Sequence, residues 1–189
     1  ASDKIGGQLN MAAVIPGKEE FHGMLGYFAR MIELSSVEVR LNTRASVNDL
    51  EGYDEVIVAT GVTPRDPGIE GQNHPKVLSY IDVLAGKAEV GEKVAVIGAG
   101  GIGFDVTEYL VQEHPSPTVN VEEWLEEWGV GDPEKVPGGL AAQGPQPSPP
   151  ARQVTLLQRK TSKHGAGLGK TTGWIHRSSL RMKDVNFIG

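Results

Sequence analysis

The sequence predicts an α/β protein with a Rossmann-like, doubly wound parallel sheet that is incomplete in this chain and is joined to part of another α/β unit. An apolar run at residues 93–97 leads directly into Gly98, Gly100 and Gly103, which have the G-x-G-x-x-G spacing. The amphipathic segment 104–110 follows the glycines. The motif therefore has the preceding strand and the following helix that a dinucleotide-binding turn requires.

The N-terminal half has the pattern of the other α/β unit. Apolar residues at helical spacing predict an amphipathic helix within residues 17–34. Alternating apolar residues predict a half-buried strand at 37–41, and an apolar run predicts a buried parallel strand at 55–60. Ser79 is expected to cap a short helix that ends at Leu84.

The C-terminal half predicts a second strand only after a long interruption. The helix that follows the glycines is expected to end near His114. We interpret residues 115–150 as an insertion, of which the part 138–150 is rich in Gly, Pro and Gln. Within it, residues 121–128 predict an acidic amphipathic helix. Further strands are predicted at 153–157 and 184–188.

The segment 64–78 contains repeated prolines and glycines, which are typical of a connection between domains. We therefore expect two partial domains, residues 1–85 and residues 86–189.

Composition excludes several classes of function. The 189 residues are 39% hydrophobic, which is sufficient for a packed core, and the net charge of −6 disfavours nucleic-acid and anionic-membrane partners. There is no cysteine, so the chain has no disulfide, thiolate nucleophile or cysteine-bound cluster of its own. No stretch is long and apolar enough to span a bilayer, and no metal-ligand spacing surrounds the five histidines. We expect a cytoplasmic protein without membrane or nucleic-acid partners.

The glycine motif assigns a role to each glycine. Gly98 allows the tight turn, Gly100 allows backbone N–H groups to approach a pyrophosphate, and Gly103 allows the helix to pack closely on the sheet. The predicted phosphate-binding loop consists of Gly98, Ala99, Gly100, Gly101, Ile102 and Gly103.

The residues at the end of the second strand of the C-terminal half indicate which coenzyme the site prefers. An NAD site usually has an acidic residue there for the ribose 2′-hydroxyl, whereas this chain has Gln158, Arg159 and Lys160. Because a guanidinium binds a phosphate bidentately, the sequence favours NADPH over NADH, with Arg159 as the first ligand and Lys160 as the second. The alternative is a solvated pair of charges after an edge strand.

The segment 164–172 resembles a P-loop but has the wrong spacing, because His164 stands where the first glycine is required. We interpret it as a flexible rim of the nucleotide site. Lys163, Lys170 and Arg177 either add positive potential there or are ordinary surface charges. A helix is expected to begin near Thr171 or Thr172.

On that helix, the segment Trp174, Ile175 and His176 is expected to pack in the core, and the alternative is a contact with the flavin.

Several segments together resemble a known family. They are IGGQLN at 5–10, IPGK at 15–18, ATGVTPR at 59–65, HPKVLSY at 74–80, GAGGIGFD at 98–105, QRK at 158–160 and GLGKTTGWIHR at 167–177. In combination they resemble bacterial NADPH-dependent 2,4-dienoyl-CoA reductases over nearly the whole chain.

The resemblance implies that this chain corresponds to the later part of a larger flavoprotein. In that family an N-terminal barrel carries FMN, a 4Fe-4S cluster and the dienoyl-CoA site, and FAD- and NADPH-binding domains follow. NADPH passes a hydride to FAD, and electrons continue through the cluster to FMN and the substrate. The resemblance therefore implies NADPH and FAD as cofactors, an incomplete NADPH domain joined to part of an FAD-binding α/β domain, and the N-terminal barrel of the same polypeptide as partner.

The resemblance also assigns flavin contacts to this chain. Gln8 and Lys18 match residues that contact FAD, and Ala45 matches a residue that contacts FAD through its backbone. Ala59, Thr60 and Gly61 match a strand end beside the flavin nucleotide. No catalytic residue of the barrel has a counterpart here, so the chain alone is expected to be inactive towards dienoyl-CoA.

Two other interpretations remain open. The chain is compatible with a non-catalytic nucleotide-binding or interaction module, in which Trp124 and Trp128 of the insertion contact another domain. It is also compatible with the same region of a trimethylamine-dehydrogenase-like relative that acts on another substrate.

Overall fold

A parallel sheet of three strands lies at the centre of the C-terminal half. The computed structural model describes residues 2–113 and 115–189. Strands β1 (Lys93–Ile97), β2 (Gln153–Leu157) and β3 (Asn186–Ile188) are hydrogen-bonded in the order β1-β2-β3. Ile97 pairs with Leu157, and Leu157 pairs with Ile188, so the carboxyl ends of all three strands meet at one edge. The predicted α/β fold with a parallel sheet is confirmed.

Six α-helices occur in the described part of the chain. They are α1 (Leu9–Ala12), α2 (Glu20–Glu33), α3 (Tyr80–Leu84), α4 (Gly101–Val111), α5 (Val121–Trp128) and α6 (Gly173–Met182). Short 3₁₀ turns occur at Val47–Leu50, Pro117–Val119 and Pro137–Gly139. None of these helices combines the length and the hydropathy needed to cross a bilayer.

Two helices begin at side-chain caps, of which the sequence predicts the one at Ser79. The hydroxyl of Ser79 accepts a hydrogen bond of 3.1 Å from the Asp82 N–H, which confirms the predicted cap of α3. The Asn120 side chain accepts from the Glu122 and Glu123 N–H groups at the start of α5. Helix α5 then ends at Gly129, whose φ of 66° is the left-handed conformation that glycine adopts at low cost.

The core forms where α4 lies against the sheet and α6. The largest fully buried apolar side chains in this core are Phe104, Leu110, Leu156 and Leu180. Ile15, Val83 and Leu84 of the N-terminal half belong to the same core cluster. The helix that carries the glycine motif is therefore held by apolar contacts on several sides.

The predicted insertion is attached to the rest of the molecule at both ends. Near its start, the Thr118 hydroxyl accepts from the Gly17 N–H at 3.1 Å and donates to the Glu19 carboxylate at 2.7 Å. Near its end, the Ser148 hydroxyl accepts from the Lys183 ammonium at 2.7 Å, and the same ammonium lies 3.1 Å from the carboxylate of Glu127 in the middle of the insertion. The Lys183 side chain is only 1% exposed, so this ion pair is shielded from water.

The strands predicted at 37–41 and 55–60 are wrong. Both segments are irregular and exposed, and Ile57 is 90% exposed. Apolar alternation describes the side chains of a strand, but a strand also needs a neighbouring backbone to accept and donate its hydrogen bonds. No other segment of residues 2–113 or 115–189 pairs with either of them.

We expect the substitution Lys183→Met to lower the free energy of unfolding by about 3 kcal/mol, because it leaves the Glu127 carboxylate buried without its cation. Urea unfolding followed by circular dichroism measures this. Lys76→Met, at an exposed lysine, is the matched control and should change stability by less than about 0.5 kcal/mol. The double variant Lys183→Met with Glu127→Gln should recover part of the loss, and equal losses for all lysine variants would contradict this role of Lys183.

Candidate dinucleotide-binding site

The glycine loop turns the chain sharply at the carboxyl end of β1. Gly98 has a φ of 113°, a conformation that L-amino acids with a Cβ rarely adopt. Its N–H donates a hydrogen bond of 2.8 Å to the Leu157 carbonyl, which continues the pairing of β1 with β2 by one residue. The loop therefore starts from a rigid position on the sheet.

Gly103 lets the first turn of α4 pack directly against this loop. A Cβ built on Gly103 would overlap the Gly98 carbonyl oxygen, so no side chain fits there without a backbone shift. In contrast, a Cβ on Gly98, Gly100 or Gly101 would meet no atom within 4 Å. The loop is therefore packed tightly on its inner side and open on its outer side.

The open side of the loop suits an anion. Gly100 occupies the N-cap position of α4, no side chain caps this helix, and its first turn contains no acidic residue. A cavity of about 360 Å³ lies beside the loop, between Tyr80 of α3 and Val106 of α4. Uncapped N–H groups and the helix dipole favour negative charge at such a position. The residues around the loop therefore fit a dinucleotide, which is the cofactor class that the glycine motif predicts.

A second cavity, of about 440 Å³, lies near Arg152 and Val90, which come shortly before β2 and β1. It is larger, but it is at the amino ends of the strands. Ligands of open α/β sheets bind at the carboxyl ends. The cavity beside the glycine loop is therefore the candidate nucleotide site.

The residues after β2 lie next to the glycine loop, because Leu157 accepts the hydrogen bond of Gly98. The Gln158 side chain donates to the carbonyl of Lys160 at 2.7 Å and also to that of Ser162, so it shapes this turn. Arg159 and Lys160 are exposed, and among the described residues their side chains have no hydrogen bond or ion pair. Both cations are free to meet a ligand.

The residues assigned to FAD by resemblance are partly brought together. The Gln8 amide donates to the Val62 carbonyl at 3.3 Å, directly after Gly61, which has a φ of 76°. Ala59 and Thr60 precede it in an exposed segment. Ala45 is exposed in another irregular segment, just before the turn at Val47–Leu50.

Lys18 reaches the helix of the glycine motif. Its ammonium lies 2.6 Å from the Asp105 carboxylate, which is on α4 two residues after Gly103. Lys18, which the resemblance assigns to FAD, therefore contacts α4, the helix that the glycine motif assigns to the dinucleotide.

Sequence reasoning missed a buried polar pair between α4 and α6. His176 Nδ1 lies 2.9 Å from the Glu108 carboxylate, whose side chain is 8% exposed. Burial raises the pKa of Glu108, although the hydrogen bond with His176 opposes this. The hydrogen bond to Glu108 in turn raises the pKa of His176, and partial burial opposes it. No signal in the sequence joins these two residues, which are 68 positions apart.

The predicted core position of Trp174 is wrong, since this side chain is 57% exposed. It lies in the first turn of α6, at the end of the helix that extends away from the packed Leu180. Arg177 donates to the Gly165 carbonyl at 3.2 Å, whereas Lys163 and Lys170 are exposed.

A parallel sheet with a glycine-rich turn from strand to helix defines a Rossmann-like nucleotide-binding fold. The family model described as "Pyridine nucleotide-disulphide oxidoreductase" matches residues 19–187. The chain belongs to this family, and membership implies binding of FAD and NAD(P).

Curated relatives are oxidoreductases that are several times longer. A metal reductase of Desulforamulus reducens is 27% identical over 98% of this chain and 27% of its own length. A cinnamate reductase of Clostridium sporogenes is 34% identical over 61% of the chain and 17% of its own length. An NADH oxidase of Thermoanaerobacter brockii is 35% identical over 61% and 19%. The chain therefore spans about a quarter or less of the length of these relatives.

A solved structure has the same fold. It is a complex of 2-naphthoyl-CoA reductase with 2-naphthoyl-CoA, with a TM-score of 0.70 and 23% identity. The match covers 98% of this chain and 23% of the reductase.

We expect Gly103→Ala to lower the free energy of unfolding by about 2 kcal/mol, because the new methyl group overlaps the Gly98 carbonyl. The matched control is Gly101→Ala, whose methyl group enters open space on the same helix and should leave stability within about 1 kcal/mol. Thermal unfolding of both variants measures the difference. A Gly103→Ala protein as stable as Gly101→Ala would show that the helix does not need this close approach.

Proposed function

We propose that the chain binds NADPH at the glycine loop and presents it to FAD within a larger flavoprotein reductase. Residues 1–85 contribute to the FAD-binding domain, and residues 86–189 contribute to the NADPH-binding domain. The observation that carries the proposal is the uncapped N-terminus of α4, which opens beside a cavity of about 360 Å³ directly after a parallel strand. This is the arrangement that binds a pyrophosphate in dinucleotide folds.

The proposed preference for NADPH rests on the turn after β2. A carboxylate there would repel a 2′-phosphate, and the chain has the exposed cations Arg159 and Lys160 instead. Gln158 supports their position through its hydrogen bonds to the same turn. Arg159 is the proposed bidentate ligand of the 2′-phosphate, and Lys160 adds positive charge.

The proposed FAD contacts are Gln8, Lys18, Ala45 and the segment 59–61. The hydrogen bond from Gln8 to Val62 supports a common site for the first and the last of these. The ion pair of Lys18 with Asp105 on α4 supports a position of the proposed FAD contacts next to the helix of the glycine motif. When both cofactors are bound, NADPH supplies a hydride and FAD accepts it.

For the complete protein we propose reduction of a conjugated acyl thioester such as 2,4-dienoyl-CoA. Two similar proteins are named as reductases of cinnamate and of 2-naphthoyl-CoA, which supports a conjugated carboxylic substrate. The resemblance also implies a 4Fe-4S cluster and FMN. Because these 189 residues contain no cysteine, we propose that another region of the polypeptide binds the cluster, together with FMN.

Arg159→Ala should weaken NADPH binding at least about tenfold and NADH binding by less than about twofold, because only NADPH has the 2′-phosphate. Calorimetric titration of the 189-residue chain with each coenzyme measures both affinities. Arg181→Ala, at an exposed arginine in the last turn of α6, is the matched control. Equal losses for the two coenzymes would remove Arg159 from the 2′-phosphate site.

The same titrations test the function itself. We expect NADPH to bind the wild-type chain and a bound flavin to appear in its absorbance spectrum after reconstitution with FAD. If neither nucleotide binds, a non-catalytic interaction module becomes the better interpretation.

A further inference from the structure

Helix α4 carries two negative charges and no positive charge of its own. Asp105 and Glu108 are its only charged residues. Each is paired with a basic side chain from a distant part of the chain: Lys18 lies 2.6 Å from Asp105, and His176, which is a cation when protonated, lies 2.9 Å from Glu108. The helix that is proposed to attract a diphosphate therefore depends on other elements to neutralise its acidic residues.

The charge of Glu108 should affect anion binding more strongly than the charge of Asp105, because the Glu108 carboxylate is buried. Its side chain is 8% exposed, and within the described residues only His176 forms an ion pair with it. Glu108 follows Gly101 by seven residues, which corresponds to about 10 Å along the helix axis. At that separation an unneutralised charge in a partly buried position changes the affinity for an anion by about three- to tenfold.

We propose that His176 is a positioning residue of the dinucleotide site, which acts by neutralising the buried Glu108 carboxylate and so keeps the N-terminus of α4 attractive to a diphosphate. The inference rests on the proposed nucleotide-binding function. It adds that a residue on α6, which is not assigned to the phosphates, sets the affinity for them. It also makes this affinity depend on the protonation of one imidazole.

The net charge of the Glu108–His176 pair determines how the dinucleotide affinity changes with pH. The hydrogen bond to Glu108 raises the pKa of His176 above its ordinary value. Below that raised pKa the pair is neutral overall, and above it the pair carries one negative charge. Dinucleotide affinity should therefore fall as the pH rises through the pKa of His176.

The other charged groups near the Glu108–His176 pair have opposite effects on the pKa of His176. Asp105 raises the pKa of His176 and Lys18 lowers it, and these two form an ion pair with each other. Arg177 follows His176 on α6, and its guanidinium donates to the Gly165 carbonyl. The imidazole and the Glu108 carboxylate are therefore the groups whose charge controls the effect.

The test compares the 189-residue wild-type chain with His176→Gln, Glu108→Gln and the double variant. NADPH affinity is measured by calorimetry between about pH 6 and about pH 8.5, a range that brackets the ordinary pKa of histidine. The ratio of variant to wild-type Kd at each pH cancels the titration of the coenzyme itself. His22→Gln, at an exposed histidine on α2, is the matched control, and thermal unfolding of each variant verifies folding.

We expect His176→Gln to bind NADPH about three- to tenfold more weakly than wild type at the acidic end, and the ratio to approach one at the alkaline end. The double variant should regain the wild-type affinity at the acidic end, because its amide pair carries no charge. Glu108→Gln alone should bind at least as tightly as wild type, and His22→Gln should match wild type throughout.

Two results would overturn the inference. One is a loss in His176→Gln that has the same size at every pH, and the other is a double variant that stays as weak as His176→Gln. Either would indicate a purely structural contact. If the wild-type chain binds no dinucleotide at any pH, the proposed function fails, which is a different result.

Discussion

The close approach of Gly103 to the Gly98 carbonyl is the constraint on which the site depends. Because no side chain separates the first turn of α4 from the loop, the helix begins immediately beside the carboxyl end of β1. The same contact orients the buried face of α4, so that Phe104 and Leu110 enter the core with Leu156 and Leu180. One glycine thus joins the core packing to the formation of an uncapped helix N-terminus.

Ion pairs between distant segments complete the arrangement around α4. Lys18 and His176 reach its two acidic residues, and Lys183 joins α5 and Ser148 of the insertion to the end of α6. The pairs that involve Glu108 and Lys183 are buried, where the loss of one partner is costly. The pair of Arg30 with Glu33 on α2 is exposed, with side chains 66% and 65% accessible, and adds little to stability. The ion pairs that contribute most to stability therefore lie around α4 and α6.

Much of the C-terminal half could be predicted from the sequence. Strand β2 and helix α5 have the predicted bounds, and Ser79 caps α3 as expected. These features depend on short-range patterns: an apolar run, an acidic amphipathic period and a cap three residues from its donor. The N-terminal strands could not be predicted correctly. The alternation at 37–41 and the apolar run at 55–60 describe the side chains of a strand but do not specify the neighbouring strand that must pair with it.

The sequence by itself determined the glycine turn from strand to helix and the cations after β2, since each depends on residues that are adjacent or a few positions apart. Only the tertiary structure decided that Glu108 meets His176, that Lys18 meets Asp105, and that Trp174 is exposed. The physical reason is that these contacts join elements far apart in the chain, so their formation depends on how α4, α6 and the N-terminal segment pack together. No local pattern of residue types contains that information.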